Sequence, residues 1–295
     1  MLKRYLTILL QHIQTILFLS CLTACSQDNS KNILFEHPGY EFPYQLTEPD
    51  QLWKLPAELV EISGLSFIDN NRLACIQDEK GIIYIFNQKE GKVEQEIYFG
   101  DNGDYEGIEI IKNDAWVLKS NGTLYEVADY LKQEELKVKK YPTALTGRND
   151  TEGLAYDHVN RGLLIACKGR PFADEINGNE YKAIYSFDHE NKISDIKPFL
   201  LIKMDTIKYY KGDETFAPSG IAIHPITENI FILGSVGKLV LVLSRKGEML
   251  AMIKLNPKIF RQPEGICFSP DGIMYIASEG DGREGSILRF EPIIK

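Results

Sequence analysis

The sequence predicts an all-β fold: a five-bladed β-propeller whose last blade is closed by a strand from the N-terminal end. Three observations lead there. A short phrase, Ser or Glu then Gly then an aliphatic residue, opens five strand-like runs. Its spacing is that of a propeller blade. The last repeat stops one strand short of the others.

The phrase reads Ser63-Gly64-Leu65, Glu106-Gly107-Ile108, Glu152-Gly153-Leu154, Ser219-Gly220-Ile221 and Glu264-Gly265-Ile266. The glycines stand 43, 46, 67 and 45 residues apart. Three of these four intervals match a blade of about 40–50 residues. The long one carries an insertion, placed near Tyr209–Ala217. A sixth, degenerate blade hidden in that interval is the alternative, and an all-β sandwich is another.

Each repeat reads as a four-strand meander. In the first, Gly64–Ile68, Arg72–Gln77, Gly81–Phe86 and Val93–Phe99 are apolar-rich runs. Asp69-Asn70-Asn71, Asp78-Glu79-Lys80-Gly81 and Gln88-Lys89-Glu90-Gly91 supply turn chemistry between them. The fifth repeat offers Gly265–Ser269, Ile273–Ser278 and Ser286–Phe290. Tyr44–Leu55 can supply its missing outer strand, because an unclosed ring leaves sheet edges and apolar faces exposed. Asp129–Lys139 is the one helix-like stretch, or a turn leading into a strand.

The N-terminus reads as an address. Lys3 and Arg4 precede a mostly apolar run that ends in Leu22-Thr23-Ala24-Cys25, which resembles a bacterial lipoprotein signal. That resemblance implies a signal peptide over residues 1–24, a lipid on Cys25, a polar tether over 25–43 and the propeller over 44–295. An uncleaved membrane anchor is the other reading. The expected location is the bacterial cell envelope, periplasmic or surface-exposed, with the lipid as membrane anchor.

Composition excludes other classes. Hydrophobic residues make up 44% and charged residues 25%, so the chain is not disordered as a whole. Its formal charge of −9 opposes nucleic-acid binding. Cys75, Cys167 and Cys267 remain after Cys25; each lies in a strand-like run and is expected as a buried thiol. A monomer is expected.

The phrase opens the innermost strand of each blade, so its first residue should ring the central throat. The occupants are Ser63, Glu106, Glu152, Ser219 and Glu264. Two residues earlier stand Glu61, Asp104, Asp150, Ala217 and Gln262, which face the same way along an extended strand. The loops between second and third strands add Asp78, Glu79, Lys168, Arg170, Glu279 and Asp281. Crowded carboxylates are costly unless neutralised. A hard cation such as Ca²⁺ can neutralise them, as can Lys168 or Arg170, or backbone N–H groups. Glu106, Glu152 and Glu264 are the first candidate ligands, Asp104 and Asp150 their partners, and Glu279 a further one.

No catalytic residue can be named. His158, His189 and His224 fall in turns on the face opposite the throat and read as solvated, so Ser63 and Ser219 lack a histidine partner. Zinc spacing such as C-x-x-C is absent from the sequence.

The phrases in order, Glu61–Leu65, Asp104–Ile108, Asp150–Tyr156, Pro218–Gly220 and Pro263–Glu279, resemble the SdiA-regulated family, and more distantly NHL-repeat and strictosidine-synthase-like propellers. The resemblance implies a calcium-binding propeller of the cell envelope, its acidic role carried by Glu106, Glu152, Glu264 and Glu279. Two functions follow as expectations. One is a binding module that takes a small molecule, glycan or protein on the throat face. The other is a metal-dependent hydrolase, a lactonase or a phytase-like phosphoesterase.

Overall fold

The computed structural model describes residues 32–132, 135–172, 176–213 and 215–293. The expected signal peptide and Cys25 lie outside the described residues.

The described residues form five antiparallel sheets, one per repeat. The chain begins with β1 (Ile33–Glu36) and β2 (Gln51–Lys54). Blade one is β3 (Ile62–Asp69), β4 (Arg72–Gln77), β5 (Ile82–Asn87) and β6 (Lys92–Tyr98). Blade two is β7 (Tyr105–Ile111), β8 (Asp114–Lys119), β9 (Leu124–Ala128) and β10 (Lys137–Tyr141). Blade three is β11 (Thr151–Asp157), β12 (Gly162–Cys167), β13 (Tyr181–Asp188), β14 (Ile193–Ser194) and β15 (Leu200–Lys203). Helix α1 (Met204–Lys211) follows. Blade four is β16 (Ala217–Ile223), β17 (Ile230–Val236), β18 (Leu239–Leu243) and β19 (Met249–Lys254). Blade five is β20 (Gln262–Phe268), β21 (Met274–Glu279) and β22 (Ser286–Phe290), with β2 paired to β22 as its outer strand.

Strand composition follows position in the blade. β4 and β5 are near-continuous apolar runs because both sheet faces are covered by neighbouring blades. The outer β6, Lys92–Tyr98, alternates exposed and half-buried residues because one face meets solvent. The turns at the far ends are closed by side chains: Asp69 accepts from Asn71 N–H at 2.9 Å, and Asn87 from Lys89 and Glu90 N–H at 3.0 Å.

The core is likewise five-fold, with one apolar cluster at each junction between blades. Ala74, Ile83 and Ile97 of blade one meet Ile108, Val117 and Tyr130 at the first junction. Phe231, Val240 and Met274 belong to the junction between blades four and five, where Phe42, Tyr44 and Leu46 are inserted from the N-terminal segment. Burying a ring such as Phe231 stabilises the fold by roughly 2–3 kcal/mol.

The structure corrects three expectations. The segment expected as tether does not end at residue 43. β1 adds a fifth strand to blade four, pairing Ile33 with Ile253 and Glu36 with Ala251, and Phe42 is buried. The apolar Ile33-Leu34-Phe35 gains a partner there, which a solvated tether would not. The helix reading of Asp129–Lys139 gives way to its turn alternative: residues 129–131 form a turn and β10 begins at Lys137, while α1 occupies the insertion. Met204 and Ile207, one turn apart, are its buried face, and Gly212 ends it at φ 95°. Tyr210 packs on Phe35, with ring centroids 4.4 Å apart, so the insertion holds β1 in place. Finally, His224 is buried rather than solvated. Cys75, Cys167 and Cys267 are buried free thiols.

Candidate functional site

All five innermost strands carry a β-bulge at one place. In blade one Ile62 pairs with Gln77 and Gly64 with Ile76, leaving Ser63 as the extra residue. Glu106, Glu152, Ser219 and Glu264 are skipped in the same way. A bulge leaves its extra residue unpaired and re-aims it. Five bulges at the start of five inner strands therefore turn these side chains towards the axis.

The glycine after each bulge is required by close approach. A Cβ on Gly107 would stand 2.8 Å from Leu154 Cβ, one on Gly220 2.7 Å from the Glu264 carbonyl, and one on Gly265 2.6 Å from Leu65 Cδ2. Each inner strand thus abuts the next around a closed ring.

The two serines stitch the ring. Ser63 Oγ donates to the Tyr105 carbonyl at 2.7 Å, and Ser219 Oγ to the Pro263 carbonyl at 2.7 Å. The loops join blades too: Tyr105 N–H donates to the Asp78 carbonyl and Thr151 N–H to the Ser120 carbonyl, each at 2.9 Å.

The three glutamates converge. Glu106 is raised well above the carboxylate range, first by burial, then by the charge of Glu152, then by Asp104 and Glu264. Burial and Glu152 push Glu264 up to about 8, against a hydrogen bond from Gln262. Glu152 is only 4% exposed; burial raises it although Lys168 Nζ stands 2.6 Å from its Oε1. Burial works to lower Lys168, but Glu152, Asp150 and Glu264 outweigh it and hold the ammonium charged. Asp150 lies 3.9 Å from the same nitrogen, on a left-handed backbone at φ 50°.

Glu279 belongs to the adjoining sector. It accepts from the Gln262 amide, and burial together with Asp78, Glu61 and Asp281 raises it. Asp78 is raised by burial, Glu61, Glu79 and Asp104, and its Oδ1 is buried without a hydrogen-bond partner among the described residues. All six expected acidic residues therefore border one throat: Glu106, Glu152, Glu264 and Asp104 act on one another, Asp150 flanks Lys168, and Glu279 sits beside Gln262. Among the described residues, no three His, Cys, Asp or Glu side chains stand in an arrangement that would hold a metal ion unaltered.

Sequence reasoning missed Glu109. It receives hydrogen bonds from Ser66 Oγ at 3.2 Å and from the Tyr156 and Ile110 backbone, and its charge reaches the Cys267 thiol. Contacts from blades one, three and five place it on the axis below the throat. Burial pushes it up to about 7. The signal was present, because a bulge flips the alternation and Glu109 stands three residues past Glu106.

The chain's residues 51–281 match the profile of the SdiA-regulated family. Among curated proteins, none matches the sequence. Solved structures share its fold. A gluconolactonase from Xanthomonas campestris is 11% identical, with a TM-score of 0.51 over 78% of this chain and 72% of that one. The PQQ-bound aldose sugar dehydrogenase of Streptomyces coelicolor is 12% identical, with a TM-score of 0.50 over 83% and 97%. A luciferin-regenerating enzyme is 12% identical, with a TM-score of 0.50 over 79% and 78%. At such identities the likeness concerns the fold.

Proposed function

The chain belongs to the SdiA-regulated family, and we propose that it is a binding module held on the bacterial envelope by a lipid at Cys25, with calcium in the propeller throat and a ligand on the throat face. One observation carries the reading. Glu106, Glu152 and Glu264 are drawn from three blades into one buried space where, among the described residues, Lys168 is the one ammonium in ion-pair contact with them. Burying several carboxylates against one cation is costly.

The donor set fits a hard cation. It is all carboxylate oxygen, with no histidine or thiol, and the orphaned Oδ1 of Asp78 lies in the adjoining sector, where Asp78 feels the charge of Asp104. Glu106, Glu152 and Glu264 would hold calcium, with Asp104 and Asp150 at its side and Glu279 behind Gln262. Bound calcium would supply positive charge and an attachment point for a ligand oxygen. The protein's own groups do the rest. Lys168 fixes the Glu152 carboxylate, and Gln262 orients Glu264 and Glu279 through its amide. The ligand is a small molecule, a glycan or a protein.

Calcium titration calorimetry on chelator-treated protein tests this, beside the double variant Glu106→Gln/Glu152→Gln. Binding by the parent and not by the folded variant supports the throat as the metal site. Binding by neither, with both folded, sinks it. Turnover of lactones or phosphate esters by the calcium-loaded protein would replace the binding module with the hydrolase reading.

A further inference from the structure

We propose that a cavity on the face opposite the throat is a second ligand site, for an apolar molecule bearing one ammonium or guanidinium group. The cavity holds about 800 Å³, within the range of small-molecule sites. Parts of the chain far apart in sequence build it: Tyr40 and Pro43 from the N-terminal segment, His224 and Ile226 from the first turn of blade four, Gly272 from the first turn of blade five, and Pro292 beyond β22. It shares no residue with the throat.

The floor is fixed and neutral. His224 Nδ1 stands 3.2 Å from both the Ile226 and Thr227 N–H groups and so accepts from them. The ring proton is therefore on Nε2, which donates to Tyr44 Oη at 3.0 Å. Tyr44 in turn donates to the Gly272 carbonyl at 2.6 Å. Burial lowers the His224 pKa, so the imidazole adds no positive charge. The chain of bonds rests on Phe231 and Phe268, whose rings lie 5.9 and 5.0 Å from the imidazole. Such a floor exists before any ligand arrives, which lowers the ordering cost of binding.

The walls are apolar and the rim is negative. Ile226 is 67% exposed over the opening, an unusual place for a large aliphatic side chain. Glu41, Asp271 and Glu291 line the cavity against one cation, Arg289, whose Nη2 is held 2.9 Å from Glu291. Glu41 and Asp271 pair with no cation among the described residues, and Glu36 adds negative charge near Tyr40. An apolar body would cover Ile226 and the prolines, and its cationic end would meet Glu41 and Asp271.

Fluorescence titration of the full-length protein tests this, with three probes that share one apolar body: dansylcadaverine, its N-acetyl derivative and dansylglycine. The amine is expected to bind saturably, the acetylated probe at least tenfold more weakly, and the acid not at all. Glu41→Gln is expected to weaken the amine several-fold and Thr227→Trp to abolish its binding by filling the cavity. Both positions are exposed, so the variants should fold, which circular dichroism checks. Glu106→Gln/Glu152→Gln and added calcium should change nothing. Equal binding of all three probes, no saturable binding, or loss of binding in the throat variant would each overturn the proposal.

Discussion

Lys168 Nζ stands 2.6 Å from Glu152 Oε1, and it is the one ammonium in ion-pair contact with the throat glutamates among the described residues. The pair is unequal: the Glu152 side chain is 5% exposed and the Lys168 side chain 41%. The carboxylate is therefore the member that suffers when the contact is cut.

Lys168→Met should destabilise the protein by about 1–2 kcal/mol at pH 8, a value reduced from that of a fully buried pair because the ammonium is partly solvated. The loss should shrink at pH 5. Without its partner Glu152 titrates still higher, so at low pH it is protonated and no bare charge is left behind. Urea unfolding at the two pH values reads the difference; an equal loss at both would refute the argument.

Calcium uptake should release protons and strengthen as pH rises from 6 to 9. Glu264 titrates at about 8 and Glu106 is raised well above its usual range, so both hold protons at pH 7 that a cation must displace. Calorimetry in two buffers of different ionisation heat measures the protons released. No release at pH 7 would show that these carboxylates are not the ligands.

Glu109 should make stability fall as pH rises. Its native pKa of about 7 lies above the usual 4.5, so the folded state binds the proton more tightly. That contribution is complete below about pH 4.5 and lost by about pH 7. At 1.36 kcal/mol per unit the span is on the order of 3 kcal/mol. Glu109→Gln, neutral throughout, should flatten this part of the profile and exceed the parent in stability at pH 8. Parallel profiles for the two proteins would disprove it.

Ser63→Ala and Ser219→Ala should each cost about 1–2 kcal/mol, because each leaves a buried carbonyl of the next blade without its donor. They act at different junctions, one between blades one and two and the other between blades four and five. The double variant should therefore add to within about 0.5 kcal/mol. Denaturant midpoints at unchanged slope check both statements.

Deleting residues 32–43 should lower the thermal midpoint and promote aggregation. A tether could be shortened at little cost, whereas this deletion removes β1 and Phe42 and exposes the edge of β19. An unchanged midpoint would return the segment to the tether reading.

The ring of repeats was legible because a glycine was needed at the same place in every blade, and close packing at the axis left no substitute. The throat residues followed, since the residue before each glycine has one place to go. Other features were hidden for identifiable reasons. Ile33–Glu36 is too short to show a period, and what makes it a strand is the free edge of β19, more than 200 residues away. His224 looked solvated because turns usually are, but the N-terminal segment lies over it and supplies Tyr44. Glu109 was lost because strict alternation from Glu106 points it off the axis, and the bulge cancels that. Helix α1 has its apolar pair and glycine cap in plain view, but eight residues within a 67-residue interval gave little to read.

The double clasp at the N-terminal end has a kinetic consequence. β1 finds its partner in β19 and β2 in β22, so Ile33 meets Ile253 and Leu52 meets Leu288. As the chain emerges from the ribosome, β1 and β2 must wait until nearly every other residue has been made. Blades one to three can assemble from local hairpins in the meantime, but locking the ring requires the longest loop closures in the molecule, and those are slow. β1 and β2, synthesised before blade one, are thus the last to be placed, and until then two sheet edges stay open to a neighbouring chain.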